Sequence, residues 1–173
     1  LSGIGYVPQD NFLFSTNVTD NIRFANPAFS DEEVYEAARI TAIHDDILGF
    51  PNGYETLVGE RGVSLSGGQK QRISIARAVI TQPELLILDD SLSAVDAKTE
   101  ERIFSQLKEK RKNQTTIIAA HRISSVMHAD EIIVLDNGTI VERGNHDQLM
   151  QNQGWYRRMY EKQQLESKLE GEK

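Results

Sequence analysis

The chain has 173 residues, 39% hydrophobic and 26% charged, with 26 acidic residues against 19 basic ones and a formal charge of -7. That length builds one domain with a sizeable core, and the acidic balance argues against a duplex-binding surface, so no nucleic-acid partner is expected. Cysteine is absent, which excludes disulfides and thiolate metal sites and fits a cytosolic compartment. No apolar run approaches about 18 residues and no signal-peptide pattern occurs.

The first residue is Leu1 rather than Met, so a piece of a longer polypeptide is expected. A short apolar strand is predicted over residues 4–7. Helical character without strands follows: Ser30 and Glu33 make a capping box for a helix carrying Val34, Ala37, Ala38 and Ile40. Residues 49–62 are rich in Gly and Pro and read as a loop. A helix is predicted over about 66–80, ending before Pro83. Residues 85–88 and 116–120 are apolar without alternation, as parallel strands covered on both faces would be. Between them a helix over about 97–110 turns Ile103, Phe104 and Leu107 inward. A short helix is predicted near 124–128. Strands over 131–135 and 139–142 flank Asn137-Gly138, the strongest short hairpin signal. A last amphipathic helix starts near Asp147. The fold class is α/β: a mostly parallel sheet with an inserted helical subdomain and an antiparallel hairpin.

Two segments carry chemistry. Leu65-Ser66-Gly67-Gly68-Gln69 puts two glycines and a Ser hydroxyl at a helix start, where free N–H groups and the helix dipole make an anion site. Ser66 and Gln69 also form an ordinary capping box. Residues 85–88 end in Asp89-Asp90, at the carboxyl end of a strand, where ligands bind in open α/β sheets. A carboxylate there can hold Mg²⁺ on a nucleotide, and its neighbour can polarise an attacking water. An Asp pair at a strand end also serves simply to start a loop.

Taken in order, these segments resemble an ATP-binding cassette (ABC) ATPase, the C-terminal part of a P-loop NTPase domain, along nearly the whole chain. Pro8-Gln9 resembles the glutamine loop, 65–69 the signature motif, 85–89 the Walker B strand, Ser93-Ala94-Val95-Asp96 the D-loop, and His121 the switch histidine. Residues 6–10, 58–62 and His121-Arg122 are similar to the exporter branch. The resemblance implies domains over 1–10 (core strand and glutamine loop), 11–82 (helical subdomain with signature), 83–146 (ATPase core) and 147–173 (C-terminal helix and tail).

It also implies roles. ATP and Mg²⁺ are the expected cofactors. Asp89 would hold the metal, Gln9 would contact the metal or the catalytic water and sense the membrane part, and Asp90 stands where the catalytic Glu usually does. His121 would bond the γ-phosphate. Ser66, Gly67, Gly68 and Gln69 would bind ATP held by a second ATPase subunit, Asp96 would cross that interface, and Glu60 and Arg61 would lie near the membrane part's coupling elements. The implied partners are that subunit and a transmembrane domain of the same polypeptide, at the cytoplasmic face of the membrane. A soluble relative working on DNA or the ribosome, or a regulatory module without ATP, stays open.

Two departures stand out. No Gly-Lys pair occurs, so the phosphate-cradling G-x-x-x-x-G-K-[ST] loop is missing and the chain alone is expected to be inactive. Asp90 is one methylene shorter than Glu, which predicts impaired general-base reach. An intact signature beside a weakened carboxylate resembles one half of a bacterial heterodimeric multidrug exporter.

Overall fold

The computed structural model describes residues 3–59 and 62–171, and the chain divides into two compact units, the first ending at Ala119 and the second beginning at Ala120. In the first, β1 (Ile4–Val7), β2 (Leu85–Asp89) and β3 (Thr115–Ala119) form a parallel sheet in the order β1-β2-β3. The register pairs Tyr6 with Ile87 and Leu88 with Ile118. Parallel neighbours need long crossovers. The first carries α1 (Val18–Ile22), α2 (Asp31–Ile40), α3 (His44–Leu48) and α4 (Gly67–Val79); the second carries α5 (Ala97–Lys110).

Each longer helix here starts on a side-chain cap. Ser30 and Ser66 make reciprocal capping boxes with Glu33 and Gln69, and Asp96 accepts from the Thr99 N–H. Such caps contribute about 1 kcal/mol apiece. Helices α1 and α3, five residues each, are absent from the sequence reading; turns this short carry too few apolar repeats to show a period.

Two apolar clusters fill this unit. One gathers Val18, Ile22, Val34, Ile43, Ile47, Tyr54, Leu65 and Ile73 among the helices. The other lies between Val7, Leu86 and Leu88 of the sheet and Ile103 and Leu107 of α5. Helix α4 walls both, giving Ile73 and Ala76 (with Ile80 at its C-cap) to the first and Ile75 and Val79 to the second. The predicted covering of the strands on both faces is met on one only. Helices α4 and α5 pack on the Val7, Leu86 and Leu88 side, while Ile4, Tyr6 and Ile117 on alternate positions are 46%, 56% and 50% exposed.

In the second unit β4 (Ile132–Asp136) and β5 (Thr139–Gly144) pair antiparallel around Asn137 and Gly138, both at positive φ as the tight turn requires. Ile123, Ile132, Val134, Leu149 and Tyr156 form its core. The short helix predicted near 124–128 is a single 3-10 turn, Ile123–Ser125, held by i to i-3 bonds. The predicted final helix is two, α6 (His146–Gln151) and α7 (Trp155–Gly171). Gln153 adopts a left-handed φ of 52° and the Glu142 carboxylate accepts from the Trp155 and Tyr156 N–H groups, so α7 gains a fresh N-terminal cap.

Candidate functional site

The glycine-rich tip of α4 is built by its own cap. Ser66 Oγ accepts from the Gln69 N–H at 3.2 Å and Gln69 Oε1 accepts from the Ser66 N–H at 3.0 Å. The first-turn N–H groups of Gly67 and Gly68 have no helical carbonyl to bond, and no acidic residue lies in that turn to compete for an anion. The other end of the Gln69 amide donates to Asp46 Oδ1 at 3.1 Å. Arg72 grips the same carboxylate at 3.0 and 3.1 Å and also bonds the Gly68 and Ala42 carbonyls. Burial pushes the Asp46 carboxyl upward, but its bonds to Arg72 and Gln69 outweigh this and hold it below its ordinary value. Sequence reading missed Asp46; the only signal is a carboxylate in a segment too short to read as a helix.

At the far end of β2 sit two carboxylates. Asp89 is the last strand residue, and the Asp90 N–H extends the ladder to the Ala119 carbonyl at 2.8 Å. Asp90 has a φ of 44°, a left-handed geometry that non-glycine residues adopt mostly as Asn or Asp. Gln9 Nε2 donates to Asp90 Oδ2 at 3.2 Å, joining two predicted site residues that follow the ends of different strands. The Tyr6 hydroxyl donates to Asp89 Oδ2 at 3.2 Å, and this bond to a carboxylate raises the phenol's pKa. The sequence places Tyr6 in a strand and in the exporter-like segment 6–10, with no side-chain role. The register explains it: Tyr6 pairs with Ile87, and Asp89 is the next residue on that face.

The Asp89 and Asp90 carboxylates and the carbonyl end of the Gln9 amide offer oxygen, as a hard cation requires. Among the described residues no group of three or more His, Cys, Asp or Glu gathers to hold a metal ion. One or two carboxylates are the protein share that Mg²⁺ takes when phosphate oxygens complete its shell.

Asp96 starts α5, and its bond from the Thr99 N–H lowers its pKa. The turn before it lies against α4: Gln71 donates to Ser93 Oγ at 3.1 Å and accepts from the Ala94 N–H at 2.9 Å. His121 belongs to the second unit and is exposed. Its backbone is fixed there by the Gln163 amide, which donates to the His121 carbonyl and accepts from the Ile123 N–H. Glu60 and Arg61 lie outside the described residues.

One further surface escaped the sequence reading. Phe14 and Phe24 stack at 3.9 Å and Phe12 meets Phe14 edge-on at 4.9 Å, with Phe12 63% and Phe24 54% exposed. Arg77 of α4 lies 5.1 Å over the Phe14 ring and bonds the Phe12 and Asn21 carbonyls and the Asn21 side chain. Three phenylalanines within thirteen positions were the available signal.

Comparison with known proteins adds the following. The family model described as ABC transporter matches residues 1–93. A probable multidrug resistance ABC transporter ATP-binding/permease protein, YheI of Bacillus subtilis, is 56% identical over 97% of this chain. The multidrug resistance-like ATP-binding protein MdlA of Escherichia coli is 53% identical over 98%. The solved structure of a bacterial Atm1-family ABC exporter with ATP bound superposes with a TM-score of 0.86 at 41% identity, covering 94% of this chain. The chain spans 29% of the length of those two relatives and 28% of the exporter chain. The α/β class read from the sequence is borne out by this likeness.

Proposed function

The chain belongs to the ABC transporter family, and from that premise we propose that it is part of the ATP-binding and ATP-hydrolysing module of a multidrug-type exporter. The observation that carries this is the strand end where Gln9 meets Asp90 and Tyr6 meets Asp89, joining partners more than 80 positions apart in sequence. Bound there, Mg²⁺ supplies positive charge against the phosphate oxygens. Asp89 and the Gln9 amide oxygen would hold it. Asp90 would accept the proton of the attacking water, oriented by the Gln9 amide. The resemblance to the family gives His121 a hydrogen bond to a γ-phosphate.

The α4 tip serves another nucleotide. Ser66, Gly67 and Gly68, steadied by Gln69, would donate to the γ-phosphate of ATP bound on a second ATPase subunit, and Asp96 would reach across the same interface. The partition proposed is a core strand and glutamine loop over 1–10, a helical subdomain over 11–82, an ATPase core over 83–146 and a C-terminal helix and tail over 147–173. The Phe12, Phe14 and Phe24 cluster is proposed as the face that meets the transmembrane part, at the cytoplasmic side of a membrane. The name of the relative YheI as an ATP-binding/permease protein supports that partner.

The shorter arm of Asp90 makes its own site the weaker one and casts the partner as a different subunit, with Glu at the matching position and an altered signature. Steady-state hydrolysis by the assembled full-length pair tests this. Activity should survive Asp90→Asn and collapse when the partner's Glu is replaced; equal losses would refute the asymmetry. The chain taken alone, lacking a phosphate-cradling loop, should hydrolyse no ATP.

A further inference from the structure

The turn between β2 and α5 is seated on α4 by more than apolar contact. Gln71, one turn into the helix and 6% exposed, spends both ends of its amide on that turn. Its Nε2 donates to Ser93 Oγ at 3.1 Å and its Oε1 accepts the Ala94 N–H at 2.9 Å. Ser93 Oγ in turn donates to the Asp90 carbonyl at 3.1 Å. Val95 is buried in the same cluster as Ile75 of α4.

Glycine completes the seat. A Cβ on Gly68 would lie 2.8 Å from the Ala94 carbonyl oxygen, and one on Gly67 would lie 3.2 Å from the Ala94 Cβ. The first distance is closer than packed atoms tolerate, and its neighbour is backbone that cannot swing away. Gly68 is therefore required by the turn that lies on it, whatever else approaches the tip.

We infer that Gln71 is a positioning residue that fastens the 93–96 turn to the glycine-rich tip, so that Ser66 and Asp96 are presented to the second subunit's nucleotide as one rigid surface. The inference deepens the proposed function and rests on the reading that both elements face that nucleotide. Its physical content is pre-organisation. A turn that is open part of the time must be ordered when ATP is clamped, and the apparent affinity falls with the fraction that is competent. Turnover at saturating ATP, reached once the clamp has closed, is retained.

The test uses the full-length protein assembled with its partner subunit. Hydrogen exchange at the Ala94 amide is read without nucleotide, and the ATP concentration for half-maximal hydrolysis is read beside it. Gln71→Leu removes both bonds; Ala94 exchange should speed about tenfold, and half-saturating ATP should rise by no more than that factor. The maximal rate should stay within about twofold. Gln71→Glu keeps an acceptor for the Ala94 N–H and should restore slow exchange. Ser93→Ala, at an exposed position, removes one of the two Gln71 bonds together with the turn's own bond to the Asp90 carbonyl and leaves the Ala94 N–H its acceptor; it should fall between, and decides the matter if Gln71→Leu fails to fold. Unchanged Ala94 exchange in Gln71→Leu and Ser93→Ala, or faster exchange with unmoved half-saturation, overturns the inference. Should Ser66→Ala leave half-saturation unmoved while Gln71→Leu speeds exchange, the shared-nucleotide reading falls and the tether itself stands.

Discussion

At Asp90 backbone and side chain impose separate demands. The left-handed φ of 44° turns the chain sharply out of β2, a geometry that costs of order 1–3 kcal/mol in most residues and less in Asp. In the role proposed for it, the short carboxylate must then reach a water that a longer side chain would meet easily. The Gln9 amide at 3.2 Å holds it in one orientation but cannot lengthen it. A misplacement of about 1 Å costs on the order of 10²-fold in rate. Asp90→Glu is accordingly expected to raise hydrolysis at this chain's own site by about ten- to a hundredfold. Single-turnover rates in a full-length pair whose other site has been silenced would check this. No gain would mean that reach is not what limits Asp90.

Among the elements, α4 shows what a sequence can and cannot declare. Its capping box, its glycines and its end before Pro83 were all readable, because caps and breakers are local chemistry. The helix was predicted over about 66–80 and is Gly67–Val79. Its partners were not readable. Asp46, Gln71 against Ser93, and Arg77 against Asn21 are contacts made across 22 to 56 positions, and no periodicity encodes them. Tyr6 against Asp89 was hidden for the same reason: it follows from strand register, which only the sheet fixes.

The tip itself has a measurable electrostatic signature. The Asp46 carboxyl is held below its ordinary value by Arg72 and Gln69. A depressed folded pKa gives stability that is present above the unfolded value and is lost as pH falls through the folded one. Wild-type stability should therefore fall more steeply in acid than that of Asp46→Asn, the two curves converging below the ordinary carboxylate range. Denaturant midpoints across that range would reveal it, and parallel curves would deny the ion pair a role. At neutral pH Asp46→Ala is expected to cost about 1–2 kcal/mol, since the pair is only partly shielded from solvent.

For the molecule as a whole, the uncovered side of the sheet is the salient property. Ile4, Tyr6 and Ile117 stand open on one side of three parallel strands, whereas all-parallel sheets are ordinarily covered on both faces. In isolation the chain should bind a hydrophobic dye and associate with rising concentration. Ile117→Lys should weaken both effects without unfolding the α4 and α5 side, as dye fluorescence and sedimentation would report; dye binding unaltered by Ile117→Lys would locate the sticky surface elsewhere. The position of α4 between two apolar clusters has a thermodynamic corollary. Neither cluster can melt while the other persists, because each would strip a wall from its neighbour. Residues up to Ala119 should therefore lose their amide protection together, in a single calorimetric step, despite containing two separately packed interiors.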